Sequence, residues 1–212
     1  MDLLVMAGLA ALVISFLRRR TPEPAPASAY GRAEWTPAAL RPASAPEPAG
    51  AVAQGGAAVL DEDLARGVEH IRVMDPDFDP ARFLAIAKDL FVRLQIGWSG
   101  GDLAAVRAHL TDEMVVALEG DMARLRERGR RNRVDQVTVD SVALTEAWQE
   151  HGRDLVTAEI RAGAMDYVLD EATGQVVEGS ATKPTRFVEY WTFVRPVGVN
   201  PWRLGAIQQT SA

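Results

Sequence analysis

The chain has 212 residues, with 23 basic and 29 acidic side chains and a formal net charge of −6. That length suits one domain with a sizeable core plus appendages, and that acidity argues against nucleic-acid binding, which depends on a net basic footprint to release counterions. Cysteine is absent, which removes disulfide frameworks, thiolate metal sites and cysteine nucleophiles together.

The acidity lies ahead of the domain. Residues 21–79 carry ten acidic and four basic side chains, whereas residues 80–212 carry eighteen and sixteen.

Residues 3–17, LLVMAGLAALVISFL, form an uncharged apolar run that ends against Arg18, Arg19 and Arg20. Arginine is costly to move across a bilayer, so a basic flank stays on the cytoplasmic side. The run therefore predicts a single-pass anchor over residues 1–20, with the rest of the chain at the cytoplasmic face of the inner membrane. As a helix it would measure about 22 Å, against a hydrocarbon core of about 30 Å. The stems of Arg18, Arg19 and Arg20 can lengthen the match by keeping their charges in the headgroups. Two other readings compete. A cleaved signal peptide carries its positive charges ahead of the apolar segment, where only Asp2 stands here, although Ala27-Ser28-Ala29 offers a small-residue cleavage site; a buried or interfacial helix is the third.

Residues 21–58 are rich in Ala, Pro, Gly and Ser, with seven prolines from Pro22 to Pro48 and few bulky apolar residues besides Tyr30, Trp35 and Leu40. Such a segment cannot bury enough surface to offset its ordering entropy, so it reads as a disordered linker, stiffer where proline recurs. Tyr30 and Trp35 could form a short docking motif. The folded domain is expected over residues 59–212.

From Leu60, the spacing of Leu64, Val68 and Ile71 predicts a helix, with Asp61, Glu62 and Asp63 in a first turn that favours negative charge. It stops near Met74-Asp75-Pro76. Asp79 then caps a second helix with Pro80 in its first turn, and Phe83, Ala87, Leu90, Phe91, Leu94 and Trp98 make its apolar stripe to about residue 98. Ser99-Gly100-Gly101 breaks it. Asp102 caps a short helix through Leu103, Val106 and Leu110; Thr111 caps another carrying Val115, Leu118, Met122 and Leu125, with Gly129 placed for a left-handed C-cap.

After Asn132 the period becomes alternating. Strands are predicted over 134–148 and 153–169, joined at Gln149-Glu150-His151-Gly152, and over 185–196 and 201–209, with residues 170–184 as a loose turn. Val156, Ala158, Ile160 and Ala162 share one face. Phe187, Trp191 and Phe193 face one way and Val188, Tyr190 and Val194 the other, as in a strand covered on both faces. Helices followed by an antiparallel sheet give an α+β plan.

Phe78-Asp79-Pro80 leading into FLAIAKDLFVRLQIGWSGGDLAAVRAHLTDEM, then LRERGRRNRV, and finally FVEYWTFVRP with PWRLGAIQQ, resemble as a set the conserved domain of the forty-four-kilodalton subunit of the mitochondrial inner-membrane protein translocase and its bacterial relatives. The resemblance covers about residues 70–209. It implies a fold similar to nuclear transport factor two, a cone-shaped, bent antiparallel sheet wrapped by helices around an apolar pocket. It also implies association with an energy-converting membrane and a link to protein translocation or membrane-protein assembly. The long charged N-terminal region by which the mitochondrial protein recruits its chaperone motor has no counterpart here, so a chaperone-tethering role does not carry over.

Three sets of residues could carry function. Arg124, Arg126, Arg128, Arg130, Arg131 and Arg133 put six positive charges in ten residues, offset only by Glu127; they could hold anionic lipid headgroups or an acidic partner, or simply be a solvated helix end. Phe83, Phe91, Trp98, Tyr167, Tyr190, Trp191 and Trp202 are the large side chains available to line a pocket for an acyl chain or apolar peptide, most of them as ordinary core. Folds of this type also host enzymes that abstract a proton with an Asp or an Asp/His pair, for which Asp166, Glu189, His109 and Tyr190 are the nominees, since strand-borne carboxylates beside aromatics can have raised pKa values suited to base catalysis. No histidine lies in a strand run, and the favoured expectation is a non-catalytic domain with no cofactor. His70, His109 and His151 lie in different elements without paired carboxylate spacing, so no metal is expected, and Gly97, Gly100 and Gly101 read as a helix break rather than a phosphate loop.

Overall fold

The computed structural model describes residues 62–209. The expected anchor over 1–20, the linker over 21–58 and the aromatics Tyr30 and Trp35 lie outside the described residues. Among the described residues, no helix is long and apolar enough to cross a membrane.

Helix α1 spans Glu62–Met74 and buries Leu64, Val68 and Ile71, the stripe its spacing predicts. Gly67 is also buried there, because a Cβ on it would come within 1.8 Å of the Ala147 carbonyl oxygen. Only a glycine lets the helix backbone approach the sheet so closely. Helix α2 spans Pro80–Gly100; the Asp79 side chain accepts a hydrogen bond from the Ala81 amide at 2.8 Å, and Gly101 ends the helix in the left-handed region at φ 73°. It runs two residues beyond the expected end. The short helix expected from Asp102 to Leu110 is instead a turn followed by a single 3₁₀ turn at Arg107–His109, since Asp102 caps only the local amide of Ala104 at 2.8 Å. Helix α3 spans Asp112–Glu127, capped by Thr111, which accepts from Met114.

Five strands follow: β1 Arg130–Glu150, β2 Arg153–Asp170, β3 Val176–Gly179, β4 Thr185–Pro196 and β5 Arg203–Gln209. All ladders are antiparallel, in the order β1-β2-β4-β5, with β3 on the far end of β2. Strand β1 starts four residues earlier than expected, and β3 replaces part of the expected turn. The β1–β2 hairpin closes on His151 and Gly152, both at positive φ, which matches the right-handed twist of the strands it joins. Register shifts at Asp135/Thr138, Val139/Ser141 and Leu144/Glu146 bend β1, and Gln136 takes a positive φ at the first.

The three helices and one face of this bent sheet enclose a single core, in which Phe91, Leu94, Leu118, Ile160, Trp191, Phe193, Leu204 and Ile207 are fully buried. Val156, Ala158, Ile160 and Ala162 point into it as expected. Phe187, Trp191 and Phe193 also face it, but Val188, Tyr190 and Val194 on the other face of β4 are only half-buried. The expectation of a strand covered on both faces is thus corrected: the helices pack on one.

Candidate functional site

The inner face of the sheet is apolar in its middle and polar at both ends. On β4, the positions in phase with Trp191 and Phe193 are Glu189 at one end and Arg195 at the other, and both are buried. Alternation along a strand forces this: any side chain two residues from a core aromatic shares its face.

At the acidic end, Asn132 bridges a helix and a strand. The Trp98 indole N–H donates to Asn132 Oδ1 at 2.7 Å, and Asn132 Nδ2 donates to Asp166 Oδ1 at 2.7 Å and to the Tyr167 carbonyl at 3.3 Å. Beside it, Ser99 Oγ and Val134 exchange hydrogen bonds, fixing the end of α2 to β1. Glu189 Oε2 accepts from the Trp191 indole at 2.8 Å. Burial pushes the Glu189 carboxyl up to about 7; the Trp191 bond opposes this, while the charge of Asp166 adds to it. Asp166 is raised as well, by burial first, against the Asn132 hydrogen bond and with Glu178 nearby. Two carboxyl groups thus feel each other within a largely desolvated setting.

At the opposite end, Arg195 is sandwiched between carboxylates. Its Nε donates to Asp154 at 2.9 Å and its Nη1 reaches Asp75 at 2.8 Å, while its guanidinium lies 4.3 Å from the Trp202 ring centroid and 5.8 Å from that of Phe78. Gln149 donates to the other Asp154 oxygen at 2.7 Å. The cluster joins the turn after α1 to β2, β4 and the loop before β5, a structural clasp rather than an open site.

The nominated residues fall into three places. Phe83, Phe91, Trp98 and Trp191 are buried core; Phe83 packs against Phe193 at 5.1 Å and Trp202 at 5.3 Å, and Phe91 against Trp191 at 5.3 Å. Trp202 is half-buried over Arg195. Tyr167 and Tyr190 stand on the outer face, where Tyr167 donates to Asp135 at 2.6 Å and Tyr190 to Glu159 at 2.8 Å. Those bonds hold both phenols above their ordinary range and leave Tyr190 remote from the acid pair. Of the four nominees for catalysis, Asp166 and Glu189 come together. His109 sits in the 3₁₀ turn between α2 and α3, not on the sheet.

The arginines run from the end of α3 into β1, and most already have partners. Arg124 pairs with Asp121, Arg126 donates to the Gly101 carbonyl at 2.6 Å, Arg131 pairs with Glu171 at 2.9 Å and Arg133 with Asp135 at 3.1 Å. Arg130 lies opposite Asp170 in the ladder. Arg128 is exposed at the helix cap, where its backbone N–H donates to the Leu125 carbonyl at 3.0 Å, and its side chain makes no hydrogen bond or ion pair among the described residues. Among those residues no group of His, Asp and Glu is arranged to hold a metal ion.

Asn132, Asp154 and Arg195 were not among the residues singled out by sequence. Arg195 was nevertheless signalled, since it continues the odd-numbered core phase of Phe187, Trp191 and Phe193. Asn132 carried no such sign, because its partners lie more than thirty residues away in both directions.

The arrangement defines an α+β domain whose helices pack on one face of a bent antiparallel sheet. The Tim44-like domain family matches residues 64–209, nearly the whole described fold, and the chain belongs to that family. Among solved structures, the crystal structure of the intermembrane space region of chloroplast protein ARC6 aligns with a TM-score of 0.40 at 13% identity, covering 61% of this chain and 97% of that one. No curated protein sequence matches.

Proposed function

We propose that this protein is a membrane-anchored, non-catalytic binding or scaffold protein at the cytoplasmic face of the inner membrane, linked to protein translocation or membrane-protein assembly. The observation that carries the reading is the Tim44-like domain over residues 64–209 on a chain that also contains an apolar run closed by three arginines. In this reading residues 1–20 hold the domain at the bilayer, residues 21–58 set its reach, and residues 59–212 form a cone like that of nuclear transport factor two. Tethering raises the effective concentration of the domain near its partner, so weak contacts suffice.

Anionic headgroups are the partner best suited to the basic segment at the end of α3. Arg128 and Arg130 are the side chains least committed to internal ion pairs, and each basic residue near an anionic surface contributes on the order of 1 kcal/mol. Deleting residues 1–20 moves the protein from the membrane pellet to the soluble fraction in this account. Retention of the truncated protein in a salt-washed pellet would contradict it.

One observation favours a catalytic alternative, the raised Glu189 carboxyl beside Asp166. A small-molecule enzyme using Glu189 as its base would lose turnover in Glu189→Gln and keep its fold.

A further inference from the structure

The helices cover one face of the sheet, and an antiparallel sheet open to water on its other face ordinarily alternates apolar inward with polar outward. One row of the outer face departs from this. Trp148 of β1 stands opposite Leu155 of β2, Leu155 opposite Val194 of β4, and Val194 opposite Arg203 of β5. Their chain neighbours Ala147, Val156, Phe193 and Leu204 are buried core, so strand alternation puts the whole row outside. Trp148, Leu155 and Val194 are half-buried, yet none of them belongs to the core that the helices enclose. The Trp148 indole N–H and the exposed Arg203 guanidinium have no hydrogen-bond or ion-pair partner among the described residues. A contiguous apolar row of this kind marks a contact surface, unlike apolar residues scattered singly.

We propose that this row is the centre of an interface with a second copy of the chain, the two sheets stacking outer face to outer face. The strand order is β1-β2-β4-β5. A two-fold axis parallel to the strands, midway between β2 and β4, therefore lays β1 of one copy over β5 of the other and β2 over β4. Each row then faces itself reversed: Trp148 meets Arg203 of the other copy, Leu155 meets Val194, and both contacts repeat across the axis. The guanidinium lies over the indole, whose face favours a cation. Glu146, two residues from Trp148 and opposite the outer-face Thr157, offers the same guanidinium a carboxylate that makes no hydrogen bond or ion pair among the described residues. A two-fold axis across the strands would instead set Arg203 on Arg203, so charge complementarity selects the first arrangement.

Aligned sheets stack about 10 Å apart, the strands of one within about 30° of those of the other. At about 4.8 Å between strands and about 6.8 Å between alternate residues, three rows of four strands cover roughly 400 Å² per copy. That is about half of the roughly 800 Å² per partner of a standard interface, so the dimer dissociates at micromolar concentrations. The inference goes beyond the membrane reading and does not depend on it, because it rests only on the register and the outer face of the sheet.

The chain has no cysteine, so introduced thiols report on this contact alone. In another outer row Ala143 stands opposite Glu159, Glu159 opposite Tyr190 and Tyr190 opposite Gln208, and the proposed axis lays Ala143 over Gln208 of the other copy. Full-length Ala143→Cys and Gln208→Cys chains in non-ionic detergent, mixed and treated with a bismaleimide of about 10 Å span, form a crosslinked dimer; either chain alone crosslinks at least tenfold less. Leu155→Asp or Arg203→Glu in both chains lowers the mixed yield at least tenfold. Adding Glu146→Arg to Arg203→Glu restores it, which a misfolded variant could not do. Sedimentation velocity of the wild-type full-length chain in the same detergent shows monomer passing to dimer as concentration rises from about 1 μM to about 300 μM. Equal crosslinking of the single and mixed samples, or a wild-type chain still monomeric at the top of that range, overturns the proposal and leaves the row to a different partner.

Discussion

Replacing Glu189 by glutamine should change how stability depends on pH. In the folded protein the Glu189 carboxyl is pushed from an ordinary 4.5 to about 7 by burial, so folded molecules hold a proton that unfolded molecules release. Below about pH 4.5 both states are protonated and there is no penalty. Between 4.5 and 7 the unfolded chain ionises while the folded chain does not, so stability falls with rising pH; above 7 the penalty is complete. At about 1.4 kcal/mol per pH unit the full penalty is about 3 kcal/mol, or on the order of 10 °C in Tm for a domain of this size. Glutamine keeps an oxygen for the Trp191 indole and carries no proton to lose. Urea denaturation at intervals from pH 4 to pH 8.5 should find Glu189→Gln equal to wild type near pH 4 and about 3 kcal/mol more stable at pH 8, with Asp166 supplying a residual slope of the same sign. Parallel profiles for the two proteins, or a variant less stable at pH 8, would refute the assignment of a neutral buried acid.

Other expectations follow from packing and pairing. Arg195→Met should cost about 3–5 kcal/mol, because it leaves Asp75 and Asp154 buried without their counter-charge; thermal denaturation reads it, and the loss should shrink when Asp154→Asn is added. Gly67→Ala raises helix propensity by about 1 kcal/mol yet should destabilise the domain by about 1–3 kcal/mol, since the new methyl collides with the Ala147 carbonyl. Trp98→Phe should cost about 1–3 kcal/mol by leaving the Asn132 oxygen unpaired in a buried setting, and hydrogen exchange should quicken around Asn132 and Val134. Arg128→Glu with Arg130→Glu should reduce flotation of the full-length chain with anionic vesicles at low salt, and the difference should vanish at high salt.

Local chemistry made the helices legible. Asp79 with Pro80, and Thr111 three residues before Met114, specify helix starts through hydrogen bonds within one turn, and the structure contains both caps. The α+β order and the inner face of β2 were legible for the same reason, since period and alternation are properties of neighbours. What sequence did not disclose depends on distant partners. The bulges of β1 follow from pairing with β2, and β3 forms because residues 176–179 meet Tyr167 to Leu169 across a loop. Asp102 looked like a helix cap and is one only for a turn, because the following residues bury Leu103, Val106 and Leu110 without a continuous helix. The aromatic nominees were sorted by strand phase: Trp191 went inward, while Tyr167 and Tyr190, each out of phase with the core residues of its own strand, went outward.

The central claim is a domain held against the cytoplasmic side of a membrane, and the absence of native cysteine gives it a direct test. Val199→Cys places one thiol at an 80% exposed loop position. Full-length protein carrying it, expressed in bacteria and probed in spheroplasts with a membrane-impermeant maleimide, should stay unlabelled until the membrane is permeabilised, while sedimenting with the membrane throughout. Labelling of intact spheroplasts, or recovery of the protein in the soluble or exported fraction, would contradict the account.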